Sequence, residues 1–370
     1  MYRKRKKTIV LSGINLFEGG PLSIYYDCLD TVVMSGIYKE NRVIAFVHKK
    51  ELFKKYEKFV MLIELPKSRK NYLYRLYYEY VYFYQISCRH HADIWFSLHD
   101  ITPKVKADKV FTYCHNPGPF IKKDLTKIKY GWRVTAFSFF YRYLYRINMK
   151  SADALIVQQD WMRRQFQKMY PAERVIVARP DMPEGFHFTD RSKENRVPVF
   201  VYASFPRYFK NFEVILQACE ILEKKGINSF EVWLTINGKE NRYSSELRKR
   251  YRNLDTVRFT GLLPREKLFH VYEISDYLIF PSKVETWGLP VSEYKGTGKP
   301  VILADLPYAH EALGDYEQAV FFDPSDSFRL SSIMEKIIHG KAVFARHKSQ
   351  EPEAPYADSW HSLLQMLTGG

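Results

Sequence analysis

The sequence predicts an α/β protein built on parallel sheets, and three observations carry that reading. Short apolar runs bounded by Gly, Pro, Asn or Asp recur along the chain and read as buried parallel strands. Helical stretches separate them, so strands and helices alternate. The chain has 370 residues, 46% of them apolar, which is enough for two cores.

Composition narrows the partners. The net charge is +16 and the pI about 9.4. An anionic partner is expected: nucleic acid, an anionic membrane surface or a phosphorylated substrate. Four scattered cysteines offer neither a zinc pair nor a disulfide framework, which fits a reduced, cytosolic compartment. The apolar run after the basic lead-in at Tyr2–Lys7 is too short for a signal peptide. No stretch approaches the ~20 apolar residues of a membrane span.

Lys7–Leu11 reads as the first strand. A loop through Gly13, Gly19 and Gly20 to Pro21 leads into a helix ending near Gly36. Strand, glycine loop and helix can cradle a phosphate, or form a tight turn only. Asn41–His48 and Phe59–Leu65 are strands, and Asn71–His91 is a Tyr- and Phe-rich helix expected to pack on the core. Ile94–Leu98 is a strand ending in His99 and Asp100. Val110–Tyr113 is a strand ending in His115 and Asn116. Sites in α/β sheets form at the carboxyl ends of strands, so these four polar residues are candidates. His99, Asp100 and Asn116 are assigned to a possible acceptor side. A cap or turn role is the competing reading.

In 121–150 Lys and Arg alternate with aromatic residues. That pattern fits an interfacial helix, an internal helix with snorkelling Arg side chains, or a stacking surface for nucleic acid. No nucleic-acid motif accompanies it, so no nucleic acid is expected. Ala154–Gln158 and Val175–Ala178 are strands, and the polar segment 186–196 is the expected linker.

Val197–Ala203 opens the second half, followed by a loop with Arg207 and Lys210 and a helix over Phe212–Lys225. Val232–Ile236 ends in Asn237-Gly238, and Val257–Phe259 in Gly261-Leu262-Leu263-Pro264. A helix over Lys267–Ser275 precedes the strand Tyr277–Phe280. A polar loop, a Gly288-Leu289-Pro290 turn, a helix over Val291–Gly296 and the strand Pro300–Asp305 follow. Pro290 suits a first helical turn, where its missing N–H costs nothing. Phe321–Pro324 closes the sheet and Ser359–Leu367 is a final helix.

Two carboxylates flank that turn, Glu285 and Glu293. Amides at a helix start suit a diphosphate, and carboxylates on either side suit sugar hydroxyls. An acidic surface loop with a capping Glu is the plainer alternative. The segment VETWGLPVSEYKGTGKPVILAD resembles the signature of retaining glycosyltransferases of family 4, which have the GT-B fold. In that family two glutamates separated by seven residues flank a Gly-Phe/Leu-Pro turn, and Glu285 and Glu293 keep the spacing. Trp287 stands where Phe is usual.

The resemblance implies two doubly wound, Rossmann-like domains facing across a cleft. They would comprise 1–187, joined by a C-terminal helix in 356–370, and 197–355. It implies sugar transfer from a nucleotide-diphosphate sugar to a hydroxyl with retention of configuration. Catalysis would rest on Glu285, Lys210, Arg207 and His115. Arg207 is displaced from the family's usual Arg position. Donor binding would fall to Gly19, Gly20, Asn237, Gly238, Leu262, Leu263, Thr286, Trp287, Gly288, Leu289, Pro290 and Glu293. No Asp-x-Asp motif is present, so no metal or other cofactor is expected. The expected acceptor is a lipid-linked oligosaccharide or glycan in surface-polysaccharide assembly. The expected location is the cytoplasm, at an anionic membrane's inner face. A nucleotide-sugar hydrolase or epimerase, or a basic binding protein without activity, are the alternatives.

Overall fold

A computed structural model describes residues 5–121, 140–170, 172–181 and 197–369. The expected linker at 186–196 and the basic, aromatic residues 122–139 lie outside the described residues. The strands are β1 (Thr8–Gly13), β2 (Arg42–Val47), β3 (Met61–Glu64), β4 (Ala92–Ser97), β5 (Ala107–Cys114), β6 (Ala154–Val157), β7 (Val175–Ala178), β8 (Val199–Tyr202), β9 (Glu231–Leu234), β10 (Val257–Phe259), β11 (Tyr277–Phe280), β12 (Val301–Ala304), β13 (Tyr316–Phe322), β14 (Ala345–His347) and β15 (Tyr356–Ala357).

The described residues form two compact units. The first holds 5–120, 140–170, 172–181 and 352–369; the second holds 197–351. The first unit has an eight-stranded sheet in the order β15-β7-β6-β5-β4-β1-β2-β3, parallel throughout. The second has a seven-stranded sheet, β10-β9-β8-β11-β12-β13-β14, in which only the β13–β14 pair is antiparallel. Strands buried on both faces need continuous apolar runs, and β6, β7, β8 and β12 are buried at every residue.

In the first unit Leu11, Ala45, Phe96, Tyr113 and Ile156 share one core with Trp360, Leu363, Leu364 and Leu367 of the C-terminal helix Trp360–Thr368. The indole of Trp360 stacks on Tyr113 with ring centroids 5.3 Å apart. The Asp181 carboxylate accepts from the Trp360 amide at 3.0 Å, tying the helix start in place. The last helix of the sequence therefore belongs to the first unit.

Several elements differ from the sequence-based expectation. The first helix runs Gly19–Met34, so both glycines sit in its first turn rather than in a preceding loop. Helices at Asp160–Met169, Arg242–Arg250, Pro307–Leu313 and Ser327–Ile338 were not expected. The stretch 72–90 is helical but interrupted: α-helix Tyr72–Tyr77, a π turn Tyr78–Tyr82, then α-helix Phe83–His90.

Candidate functional site

In the second unit β10, β9, β8 and β11 are consecutive parallel neighbours, so the loops at their carboxyl ends adjoin. Those loops hold Leu262 and Leu263, Asn237 and Gly238, Arg207 and Lys210, and Glu285 to Gly288 respectively. The sheet order gathers residues that are far apart in sequence.

Lys210 Nζ donates to Glu285 Oε1 at 2.5 Å, and both side chains are mostly buried. Two bonds hold the two loops at that separation, and a third ties the first of them to the loop after β13. The Lys283 amide donates to Phe209 O at 2.8 Å. Asn211 Nδ2 donates to Pro281 O at 3.1 Å and to Pro324 O at 2.7 Å. Asn211 has φ 60, a left-handed conformation that Asn tolerates better than most residues. Tyr202 Oη donates to Lys210 O at 2.8 Å, fixing the backbone that carries the ammonium. Arg207 lies one turn upstream. Burial pulls its guanidinium below the ordinary value, and the negative Glu285 opposes that shift. The Lys210–Glu285 pair is partly desolvated, which strengthens its interaction relative to water, and the exposed Arg207 stands at its edge.

The Gly288 turn and Glu293 lie on the same loop and helix. Gly288 has φ 93, which only glycine adopts without strain, and it precedes the helix Leu289–Lys295. Pro290 sits in the first turn, as the sequence suggested. The Trp287 indole is buried and donates to Ser292 Oγ at 2.9 Å, so its ring serves the protein interior. Burial raises the Glu293 carboxyl above its ordinary value. Arg265, 3.8 Å away, and the Tyr272 hydroxyl, which donates at 3.5 Å, oppose the shift. Neither partner was anticipated; both lie on the helix Arg265–Ile274.

The Asn237 and Gly238 amides donate to Glu240 Oε1 and Oε2 at 2.7 and 3.0 Å, so this tight turn is closed by its own carboxylate. A Cβ on Gly261 would lie 2.8 Å from Asn237 Nδ2, which packs the two neighbouring loops together. Leu262 is exposed and Thr286 half-buried.

In the first unit the sheet order places the ends of β1, β4 and β5 side by side. They lead to Gly19 and Gly20, to His99 and Asp100, and to His115 and Asn116. Asp100 Oδ1 accepts from the His115 amide at 2.8 Å, the Asn116 amide at 3.0 Å and Tyr145 Oη at 2.9 Å. Asp100 thus shapes the loop that carries His115. His115 Nε2 lies 3.9 Å from Asp100 Oδ2, and its buried Nδ1 has no hydrogen-bond partner among the described residues.

His99 is wholly buried. Its Nε2 is 3.0 Å from Ser12 Oγ. Its Nδ1 is 3.0 Å from Glu79 Oε1, without the alignment of a hydrogen bond. Arg75 donates to His99 O at 2.7 Å and to Tyr141 Oη at 3.1 Å. This internal network was not foreseen. Its only sequence signal was Arg75 and Glu79, four residues apart in an otherwise aromatic helix.

Among the described residues, one group with ligand atoms close enough to hold a metal is His91, Asp93 and Asp108. It lies at the amino-terminal ends of β4 and β5, away from the carboxyl-end loops. The Asp93 carboxylate there already accepts from Arg5 and from the Thr8 amide.

Residues 185–353 match the family model described as Glycosyl transferases group 1. The O-antigen chain mannosyltransferase B of Escherichia coli is 24% identical over 199 residues, 50% of this chain and 51% of that protein. The processive diacylglycerol alpha-glucosyltransferase of Acholeplasma laidlawii is 25% identical over 224 residues, 56% of this chain and 64% of that one. The match thus spans less than two thirds of either relative. The solved structure of WaaG, a glycosyltransferase involved in lipopolysaccharide biosynthesis, has a TM-score of 0.64 and 16% identity, covering 90% of each chain. That likeness shows the GT-B fold.

Proposed function

From a chain that carries a glycosyltransferase group 1 domain over residues 185–353, we propose a retaining glycosyltransferase that uses a nucleotide-diphosphate sugar. The observation that carries the reading is the Lys210–Glu285 pair, held by adjoining carboxyl-end loops on the strand–loop–helix unit that also carries the Gly288 turn and the mostly buried Glu293. Breaking the sugar–phosphate bond leaves negative charge on the departing diphosphate and positive charge on the sugar. Lys210 and Arg207 stabilise the first, and amides at the Gly288–Leu289 turn add to them. Glu285 faces the sugar, and Glu293 accepts from a ribose hydroxyl. As the diphosphate arrives, Lys210 exchanges part of its bond to Glu285 for the phosphate, releasing that carboxylate to the sugar.

In this reading the acceptor hydroxyl attacks on the face from which the diphosphate leaves. A departing phosphate oxygen takes its proton, and the sugar keeps its configuration. Cationic side chains do the work that a divalent metal does elsewhere. Asn237, Gly238, Leu262 and Leu263 hold the nucleotide, largely through backbone groups.

The acceptor is a lipid-linked oligosaccharide or a lipid. The net charge of +16 and the membrane-lipid and O-antigen roles in the relatives' names support this choice. The proposed location is the cytoplasmic face of a membrane; no described helix is long and apolar enough to cross one.

The test is a donor screen that scores nucleotide release with each common nucleotide sugar, with and without excess EDTA. Turnover of one donor that survives EDTA is expected. No release from any donor, together with no calorimetric binding of UDP or GDP, would contradict the enzyme reading. Loss with EDTA restored by manganese would contradict metal independence.

A further inference from the structure

We infer that the helical stretch 72–90 of the first unit, with the adjoining segment 140–147, docks on an anionic lipid bilayer. The inference deepens the proposed acceptor chemistry and rests on that reading. The inner side of the stretch buries Arg75, Tyr78, Glu79, Phe83 and Ser87. The outer side exposes Leu73, Tyr77, Val81, Tyr84 and Cys88, at steps of three or four residues that keep them on one helical face. Leu73 is 76% exposed, and the next three are 42 to 47% exposed. A helix of a water-soluble surface normally carries charge on its outer face. Here the one acid in the stretch, Glu79, is wholly buried.

A second apolar surface joins the first. Phe140, Tyr143 and Ile147 are exposed, with exposed Arg142, Arg146 and Lys150 among them and no acid between 140 and 150. The rings of Tyr72 and Phe140 meet edge to face at 5.9 Å, and Arg75 bonds Tyr141 beneath them. Lysines surround the patch. Lys104 Nζ lies 5.1 Å from the Tyr84 ring, and Lys67 and Lys70 lie about 6 Å from the Tyr74 ring. Exposed aromatics with apolar residues at the centre, basic groups at the rim and no exposed carboxylate within 72–90 or 140–150 suit the headgroup level of an anionic leaflet. A second copy of this chain fits poorly, because pairing the patch with itself would face cations against cations. Nucleic acid would leave Leu73 and Val81 without partners.

The molecule carries its own probe. Cys88 is exposed on the patch, whereas Cys28, Cys114 and Cys219 are buried. A polarity-sensitive thiol dye at Cys88 should shift to the blue and lose access to iodide with vesicles of phosphatidylglycerol and phosphatidylethanolamine at about 0.1 M salt. The signal should be absent with phosphatidylcholine, and reversed near 1 M salt, where the Debye length falls to ~3 Å. In unlabelled protein, L73E with Y77E should cut co-sedimentation at least about tenfold, with an unchanged melting curve and unchanged nucleotide release. Sedimentation with anionic vesicles while the dye stays silent would overturn the inference, as would a dye shift that follows protein concentration without vesicles. Nucleotide release in the same samples separates this outcome from the proposed activity: release with a silent dye sinks only the docking face, and docking without release sinks only the enzyme.

Discussion

Glu285 and Glu293 share a loop and helix but differ in surroundings, and in the proposed function that difference divides their tasks. Glu285 is paired with Lys210 at 2.5 Å. Glu293 is a mostly buried carboxylate with Arg265 at 3.8 Å and the Tyr272 hydroxyl at 3.5 Å. Glu293→Gln should weaken binding of the bare nucleotide by about tenfold, the loss expected when a buried bond to a charged group is replaced. Glu285→Gln should leave bare-nucleotide affinity nearly intact and damage transfer. Titration of UDP or GDP into both variants checks this; equal losses would contradict the division. The spacing of these two residues was legible because seven intervening positions place one in the loop and the other in the following helix. Their partners were not legible. Lys210 comes from the loop after β8 and Arg265 from the helix Arg265–Ile274, and only the order of strands in the sheet brings them near. Asp100 also changed its meaning. As a sequence feature it was a candidate on the acceptor side; in the structure it accepts from two loop amides and a tyrosine.

Strands were the most legible elements, because a parallel strand covered on both faces must be apolar without a break. The helices Asp160–Met169 and Arg242–Arg250 escaped notice because Arg and other polar residues interrupt their apolar stripe. The second of them is fixed locally instead: Asn241 and Ser244 form a reciprocal capping box. The stretch 72–90 was legible as a core-packing helix on one side only, since tyrosines on both faces blur the period. Its π turn holds Glu79 against His99 and Arg75, which joins this helix to the end of β4. Burial pushes the Glu79 carboxyl up to about 8, against the pull of Arg75. From about 4.5 to about 8 the folded chain keeps that proton while the unfolded chain releases it, so stability falls as pH rises. His99 acts in the opposite sense: burial and Arg75 pull its imidazole well below 6.5, so its contribution rises with pH and is complete above about 6.5. The Glu79 contribution is therefore isolated between pH 6.5 and 8. The unfolding free energy from denaturant titration there should fall for the wild type by up to about 1.4 kcal/mol per pH unit relative to Glu79→Gln. Parallel pH dependence of the two proteins would contradict the assignment.

At the scale of the whole molecule, two parallel sheets each present a row of loops, and every candidate residue sits on one of those rows or on the helix that follows it. From the sequence, a C-terminal helix in 356–370 is assigned to the first domain. The segment 352–369 returns to the first unit through Tyr356–Ala357 and Trp360–Thr368. A two-residue strand has no period to read, so its pairing with β7 was invisible beforehand. The positive charge of +16 is a property of the whole chain, whereas the proposed catalysis draws on two cations of the second unit, Lys210 and Arg207. In the proposed mechanism these cations stabilise the departing diphosphate. Its most direct test is the rate of nucleotide release from the accepted donor, measured for Lys210→Ala against the wild type at saturating donor. Loss of one preorganised charge contact costs ~3 kcal/mol, so release should fall about a hundredfold while the circular dichroism spectrum stays unchanged. Release within about twofold of wild type would contradict the claim.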